Sequence, residues 1–130
     1  MTDVVTPKLL ITDDDQALRC SLGEALERRG FEVLLAADGQ EALELLRVSV
    51  IHLALVDLHM PRVSGLQLIE RLRHADLRMP CILMSAALDE AVRSEAAQMH
   101  VFRVIDKPFR LAEIAQTVRQ GLAEHYGWAG

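Results

Sequence analysis

The chain has 130 residues, 51% hydrophobic but only 4% aromatic, enough for one aliphatic core without disulfides or structural metal. Fourteen basic against 19 acidic residues give a net charge of −5, and no basic stripe is present, which argues against a nucleic-acid partner. No run of about 18 apolar residues is present to span a membrane. Met1 to Lys8 form no apolar leader, and Cys20 and Cys81 lack ligand-like spacing, so a cytoplasmic protein with reduced thiols is expected.

Short apolar runs alternate with longer amphipathic stretches. The runs are Leu9–Thr12, Val33–Ala36, Leu53–Val56, Cys81–Met84 and Val101–Ile105. The first four are almost continuously apolar, the pattern of strands buried on both faces of a parallel sheet. Between them, Leu18, Leu22, Ala25 and Leu26 form one stripe of a helix over Gln16–Arg29, closed by Gly30. Asp38 suits the N-cap of a helix through Arg47, and Ser64 that of a helix carrying Leu68, Ile69 and Leu72. Leu88–Met99 is Ala-rich and weakly amphipathic, and Arg110–Tyr126 repeats Leu111, Ile114, Val118 and Leu122 at helical spacing. Arg28-Arg29 and Arg71-Arg73 read as solvated helix ends. A β-α unit repeated five times, with no linker, predicts a single doubly wound α/β domain over residues 1–130, its core about 8–126.

In such a sheet, chemistry gathers beyond the carboxyl ends of the strands. Polar groups stand at those ends: Asp13-Asp14-Asp15, Asp57, Ser85, and Asp106-Lys107-Pro108. One aspartate after a strand is usually a turn or cap residue. Acid, acid, hydroxyl and amine after four strands of one sheet is far less ordinary. Clustered carboxylates repel one another and need a cation, and an all-oxygen set suits Mg²⁺ or Mn²⁺. A carboxylate can also attack phosphorus to give an aspartyl phosphate, whose oxygens an amine, a hydroxyl and a metal can stabilise.

Leu-Leu-Ile-Thr-Asp-Asp-Asp (9–15), Leu-Val-Asp-Leu-His-Met-Pro-Arg-Val-Ser-Gly (55–65), Met-Ser-Ala (84–86) and Lys-Pro-Phe (107–109) resemble the receiver domains of two-component response regulators. The resemblance covers about Lys8 to Tyr126. It implies a flavodoxin-like (βα)5 fold with strand order 2-1-3-4-5. It implies Asp57 as phosphoacceptor and metal ligand, Asp14 as a direct Mg²⁺ ligand, Asp13 acting largely through water, and the main-chain carbonyl of His59 as a further ligand. It assigns Ser85 and Lys107 to the phosphoryl oxygens and a cis bond to Lys107-Pro108. Asp15 fits a helix cap rather than a ligand.

The implied partners are a sensor histidine kinase or histidine phosphotransfer protein, and an output protein or domain that reads the fourth helix, fifth strand and fifth helix. Dimerisation through the last two helices is left open. Such a protein is not an enzyme beyond catalysing its own phosphorylation and slow dephosphorylation. The chain departs from the family pattern at Val104, where an aromatic switch residue usually stands; Phe102 could substitute only if no bulge breaks the parity of the strand. His59 reads equally as a group that tunes phosphoryl lifetime and as an exposed loop residue. Ala87 offers nothing to position a water, so slow to intermediate dephosphorylation is expected. His52, His74, His100 and His125 show no ligand spacing, and Tyr126 and Trp128 either pack locally or mark an attachment point.

Two other functions fit less of the pattern. An aspartyl-phosphate hydrolase would place a second aspartate where His59 stands and would need a cap insertion. An interaction module that lost phosphorylation would not need all five functional positions filled.

Overall fold

The computed structural model describes residues 5–128. Ten elements alternate along it: β1 (Lys8–Thr12), α1 (Gln16–Arg28), β2 (Glu32–Ala36), α2 (Gly39–Val48), β3 (Leu53–Asp57), α3 (Gly65–His74), β4 (Cys81–Ser85), α4 (Glu90–Gln98), β5 (Arg103–Asp106) and α5 (Leu111–Tyr126). The strands form one parallel sheet in the order β2-β1-β3-β4-β5, as expected.

Strand parity divides the core in two. Leu9, Ile11, Leu53, Leu55, Ile82, Met84 and Ile105 pack with Leu22 and Leu26 of α1 and with Ile114, Val118 and Leu122 of α5. Their neighbours Leu10, Ala54, Val56, Cys81 and Leu83 face the opposite way, against Ala42 of α2, Leu68, Ile69 and Leu72 of α3, and Ala96 of α4. Alternate Cβ atoms of a strand point to opposite faces, so a run apolar at every position feeds both layers. Ala96 is the sole buried residue of α4, the most lightly embedded helix.

Side-chain caps start four helices: Asp15, Asp38, Ser64 and Asp89 each accept a backbone N–H one turn in. At α3 the Gln67 side chain also returns to the Ser64 N–H, completing a capping box. Helices α1, α3 and α4 end in paired bonds of the Schellman type, with Gly30, Asp76 and His100 at positive φ. At the last of these, the Val101 N–H is spent on the Ala96 carbonyl at 3.0 Å. That ending explains why β5 begins at Arg103 and not at Val101.

It also decides the parity of Phe102. This residue lies outside the pleat and packs with the α1/α5 layer, whereas Val104 belongs to the layer of α2, α3 and α4. Phe102 rests over Gly121, where an added Cβ would lie 3.4 Å from its ring carbons. It is a packing residue on the wrong face to replace an aromatic at residue 104.

Arg73 is a second correction. It is half-buried rather than solvated, and its guanidinium donates to the carbonyls of Leu77 and Met79 at 3.0 and 3.1 Å and of Met99 and His100 at 3.3 and 3.4 Å. It ties the C-terminal ends of α3 and α4 together. Arg71, by contrast, is exposed.

Tyr126 and Trp128 pack locally, stacked with centroids 4.4 Å apart, and both meet the His52 ring edge-on. The Tyr126 hydroxyl donates to the His52 carbonyl at 2.7 Å, and His52 Nδ1 accepts the Lys8 N–H at 2.9 Å. Burial, with the nearby Lys8 charge, holds the imidazole below its ordinary 6.5, against the opposing pull of Glu32. An unfolded chain therefore takes up this proton at a higher pH than the folded one. His52 should contribute fully to stability above about pH 6.5 and lose that contribution as pH falls through its folded value. Urea unfolding between pH 7.5 and 5 should show this loss, and His52→Asn, whose amide oxygen can still accept from Lys8, should show a shallower fall.

Candidate functional site

The site lies at the carboxyl edge of the sheet, beside the β1/β3 junction where the strand order reverses. The β1–β2 ladder continues one residue past β1, with the Asp13 N–H donating to Ala36 at 3.1 Å. Asp57 is the last residue of β3 and pairs with Met84 of β4. Ser85 ends β4 and pairs with Asp106, the residue before Lys107. Strand register alone thus brings four distant segments to one edge.

Asp13 and Asp57 are 1% and 5% exposed, while Asp14 faces solvent. One carboxylate oxygen from each of the three lies within 4.8 Å of the others, the sole His, Cys, Asp or Glu grouping with metal-site spacing among the described residues. None of the histidines joins it. Lys107 Nζ bridges the two buried acids, 2.9 Å from Asp13 Oδ2 and 3.2 Å from Asp57 Oδ1. Asp13 Oδ1 accepts the Asp15 N–H at 2.9 Å, and Asp15 caps α1 rather than joining the cluster.

The charges respond to this crowding. Burial is the main cause that raises the Asp57 carboxyl above its usual range, and the Asp13 charge adds to it; Lys107 opposes both. Burial pulls Lys107 down, but its bond to Asp13 and the charges of both acids outweigh that, leaving it above 10.5. Asp57 is therefore an unusually basic carboxylate beside a firmly charged ammonium. The donor set fits a small hard cation: three carboxylates, all oxygen, with no thiolate or imidazole.

Ser85 is fully buried and its Oγ accepts the Ala87 N–H at 3.0 Å, which leaves the hydroxyl proton free to donate elsewhere. The Ser85 carbonyl accepts the Lys107 N–H at 2.8 Å, joining the β4 and β5 ends. The Lys107-Pro108 bond is cis. His59 is exposed, as is Ala87, and no backbone N–H reaches the His59 carbonyl among the described residues.

Two features escaped sequence reasoning. Gly65 was visible only as part of a motif; a Cβ there would strike the Asp57 carbonyl and lie 2.9 Å from Leu58 Cα. α3 therefore starts directly against the end of β3. The other is Arg19, whose Nη1 donates to the Asp13 carbonyl at 2.7 Å. The signal for it was an arginine in the first turn of α1, at the positive end of the helix dipole.

The family model described as "response regulator receiver domain" matches residues 9–119. The chain belongs to this family. It is 30% identical over 118 residues to Response regulator RR06 of Streptococcus pneumoniae serotype 2 (strain D39 / NCTC 7466), covering 91% of this chain and 54% of that protein. It is 36% identical over 112 residues to the transcriptional regulatory protein CpxR of Escherichia coli (strain K12), covering 86% and 47%. The chain thus spans about half the length of these curated relatives. A crystal structure of a CheY-like receiver domain protein from Methanospirillum hungatei JF-1 superposes with a TM-score of 0.88 at 26% identity, covering 92% and 96% of the two chains. No helix among this receiver's described residues is long and apolar enough to cross a membrane.

Burial of Asp57, with the Asp13 and Asp14 charges beside it, makes the receiver's acidic site a source of instability. With its pKa raised in the folded state, Asp57 weakens stability as pH climbs from its unfolded value through its folded one. Asp57→Asn keeps an acceptor for Lys107 and removes one charge. In metal-free buffer at pH 7.5 its thermal midpoint should rise by about 2–5 °C, roughly 1 kcal/mol. An equal or lower midpoint would count against a cost of the buried Asp57 charge.

Proposed function

We propose that this receiver takes a phosphoryl group onto Asp57 from the phosphohistidine of a sensor histidine kinase or histidine phosphotransfer protein. The supporting observation is the Lys107 ammonium bridging Asp13 and Asp57, with Asp14 completing a three-carboxylate cluster. An Asp57 oxygen attacks phosphorus as the P–N bond to the donor imidazole breaks. The electron pair of that bond leaves with the imidazole nitrogen, and no base is needed because Asp57 attacks as the carboxylate. Burial and the Asp13 charge make that carboxylate more basic, and so more nucleophilic once ionised.

Lys107, which contacts both Asp13 and Asp57, would exchange its Asp57 contact for a phosphoryl oxygen while keeping Asp13. The unspent Ser85 proton can donate to another oxygen. Asp14 and Asp57 would hold Mg²⁺ or Mn²⁺ directly, Asp13 through water, with the His59 carbonyl as a further ligand. When bound, the cation offsets the negative charge of carboxylates and phosphoryl group as they meet.

Phosphorylation brings about −1.5 to −2 charge and three acceptor oxygens. Ser85 ends β4 and Lys107 follows β5, so their movement acts first on the β4–α4 and β5–α5 loops. Helix α4 buries only Ala96 and holds β5 by an exposed Arg93–Asp106 pair at 3.7 Å. The signal would be a population shift of the surface of α4, β5 and α5 toward an output protein or domain. Val104 packs into the α2, α3 and α4 layer without a rotating ring, so α4 itself would carry the change.

Incubation with acetyl phosphate and Mg²⁺ should add the mass of one phosphoryl group. Asp57→Asn should abolish the addition, and a wild-type protein that gains no mass would defeat this function. With no polar side chain at Ala87 to orient water, the phosphoryl group should persist for minutes or longer; a half-life of seconds in Mg²⁺ would refute that expectation.

A further inference from the structure

We propose that Arg19 is a positioning residue for the acidic site, holding the main chain of Asp13 so that the Asp13 and Asp14 carboxylates converge on a divalent cation. This rests on the metal-binding role under the proposed function.

Every polar group of Asp13 is engaged. Its N–H donates to Ala36, Oδ1 accepts from the Asp15 N–H, and Oδ2 accepts from Lys107. The carbonyl lies beyond the last β1 residue in a residue 1% exposed, where no backbone N–H reaches it among the described residues. Arg19 Nη1 supplies that missing donor at 2.7 Å, a short, charge-assisted bond.

The bond spans the turn that carries Asp14. With the Asp15 N–H to Asp13 Oδ1 bond, it closes the segment from strand end to first helical turn on itself. Helix stability does not explain an arginine there. The first turn of α1 contains no acid, and a cation at this end opposes the helix dipole. The bond to Asp13 offsets that cost.

Charge and position predict opposite signs. If Arg19 acted only through its charge, removing it would tighten binding of a divalent cation to three carboxylates. If it acts by holding Asp13, removal weakens binding. Arg19→Met keeps the apolar stem and removes the donor; Arg19→Lys keeps a cationic donor. Mn²⁺ binding to the full chain is followed by the electron paramagnetic resonance of the free ion, with circular dichroism confirming that each variant is folded.

Arg19→Met should bind Mn²⁺ about tenfold more weakly, the usual size of a lost supporting contact at a metal site. Arg19→Lys should recover most of that loss. Phosphorylation of Arg19→Met by acetyl phosphate should need more Mg²⁺ for half-maximal rate but reach nearly the wild-type rate at saturation. Equal or tighter Mn²⁺ binding by folded Arg19→Met overturns the positioning role. If Arg19→Met does not fold, the test passes to Arg19→Lys, and tenfold weaker binding there despite its donor overturns it equally. A wild-type chain that binds no Mn²⁺ overturns instead the metal-binding role on which it rests.

Discussion

One ammonium group holds the edge of this sheet together. Lys107 Nζ lies within 3.2 Å of two buried aspartates that would otherwise repel one another, with a third carboxylate beside them. The arrangement is compact because Lys107 follows β5 and is tied through its N–H to the end of β4. Burying charge is costly unless it is paired, and here two acids share one base. Burial first, and the Asp13 charge second, raise the Asp57 carboxyl against the pull of Lys107. Three carboxylates around one ammonium leave the site short of positive charge and suited to accept a cation.

The scaffold delivers that edge by simple means. Strands apolar at every position are buried on both faces, so the sheet is covered by α1 and α5 on one side and by α2, α3 and α4 on the other. Parallel pairing sends every carboxyl end to the same edge. Close approach is then a matter of small details: Gly65 lets α3 start against the Asp57 carbonyl, and capping by Asp15, Asp38 and Ser64 fixes where helices begin. The opposite edge is closed by the His52, Tyr126 and Trp128 cluster, one strand length from the acidic site and unlike it in chemistry.

Much of this was legible in the sequence because it depends on local patterns. Strand order, most helix limits and the convergence of Asp13, Asp14, Asp57, Ser85 and Lys107 follow from periodicity, caps and a family resemblance. The departures share one cause, which is competition for backbone hydrogen bonds at helix ends. Val101 looked like the start of a strand because it is apolar, but its N–H closes α4. Phe102 was then freed from strand parity and turned toward Gly121. Arg73 looked like a solvated helix end by composition, yet four carbonyls from two loops collect around it.

The sequence by itself determined which residues are apolar on both faces, which ones cap helices, and which few polar groups stand after strands; these are properties of neighbours along the chain. It could not determine partners that meet only through folding. That Lys107 leans toward Asp13 more closely than toward Asp57, that Arg19 reaches back to the Asp13 carbonyl, and that Val104 and Phe102 face opposite layers were decided by tertiary structure. Each depends on the register of separate strands and on how a helix ends. A shift of a few ångströms there changes the partner without changing any local pattern.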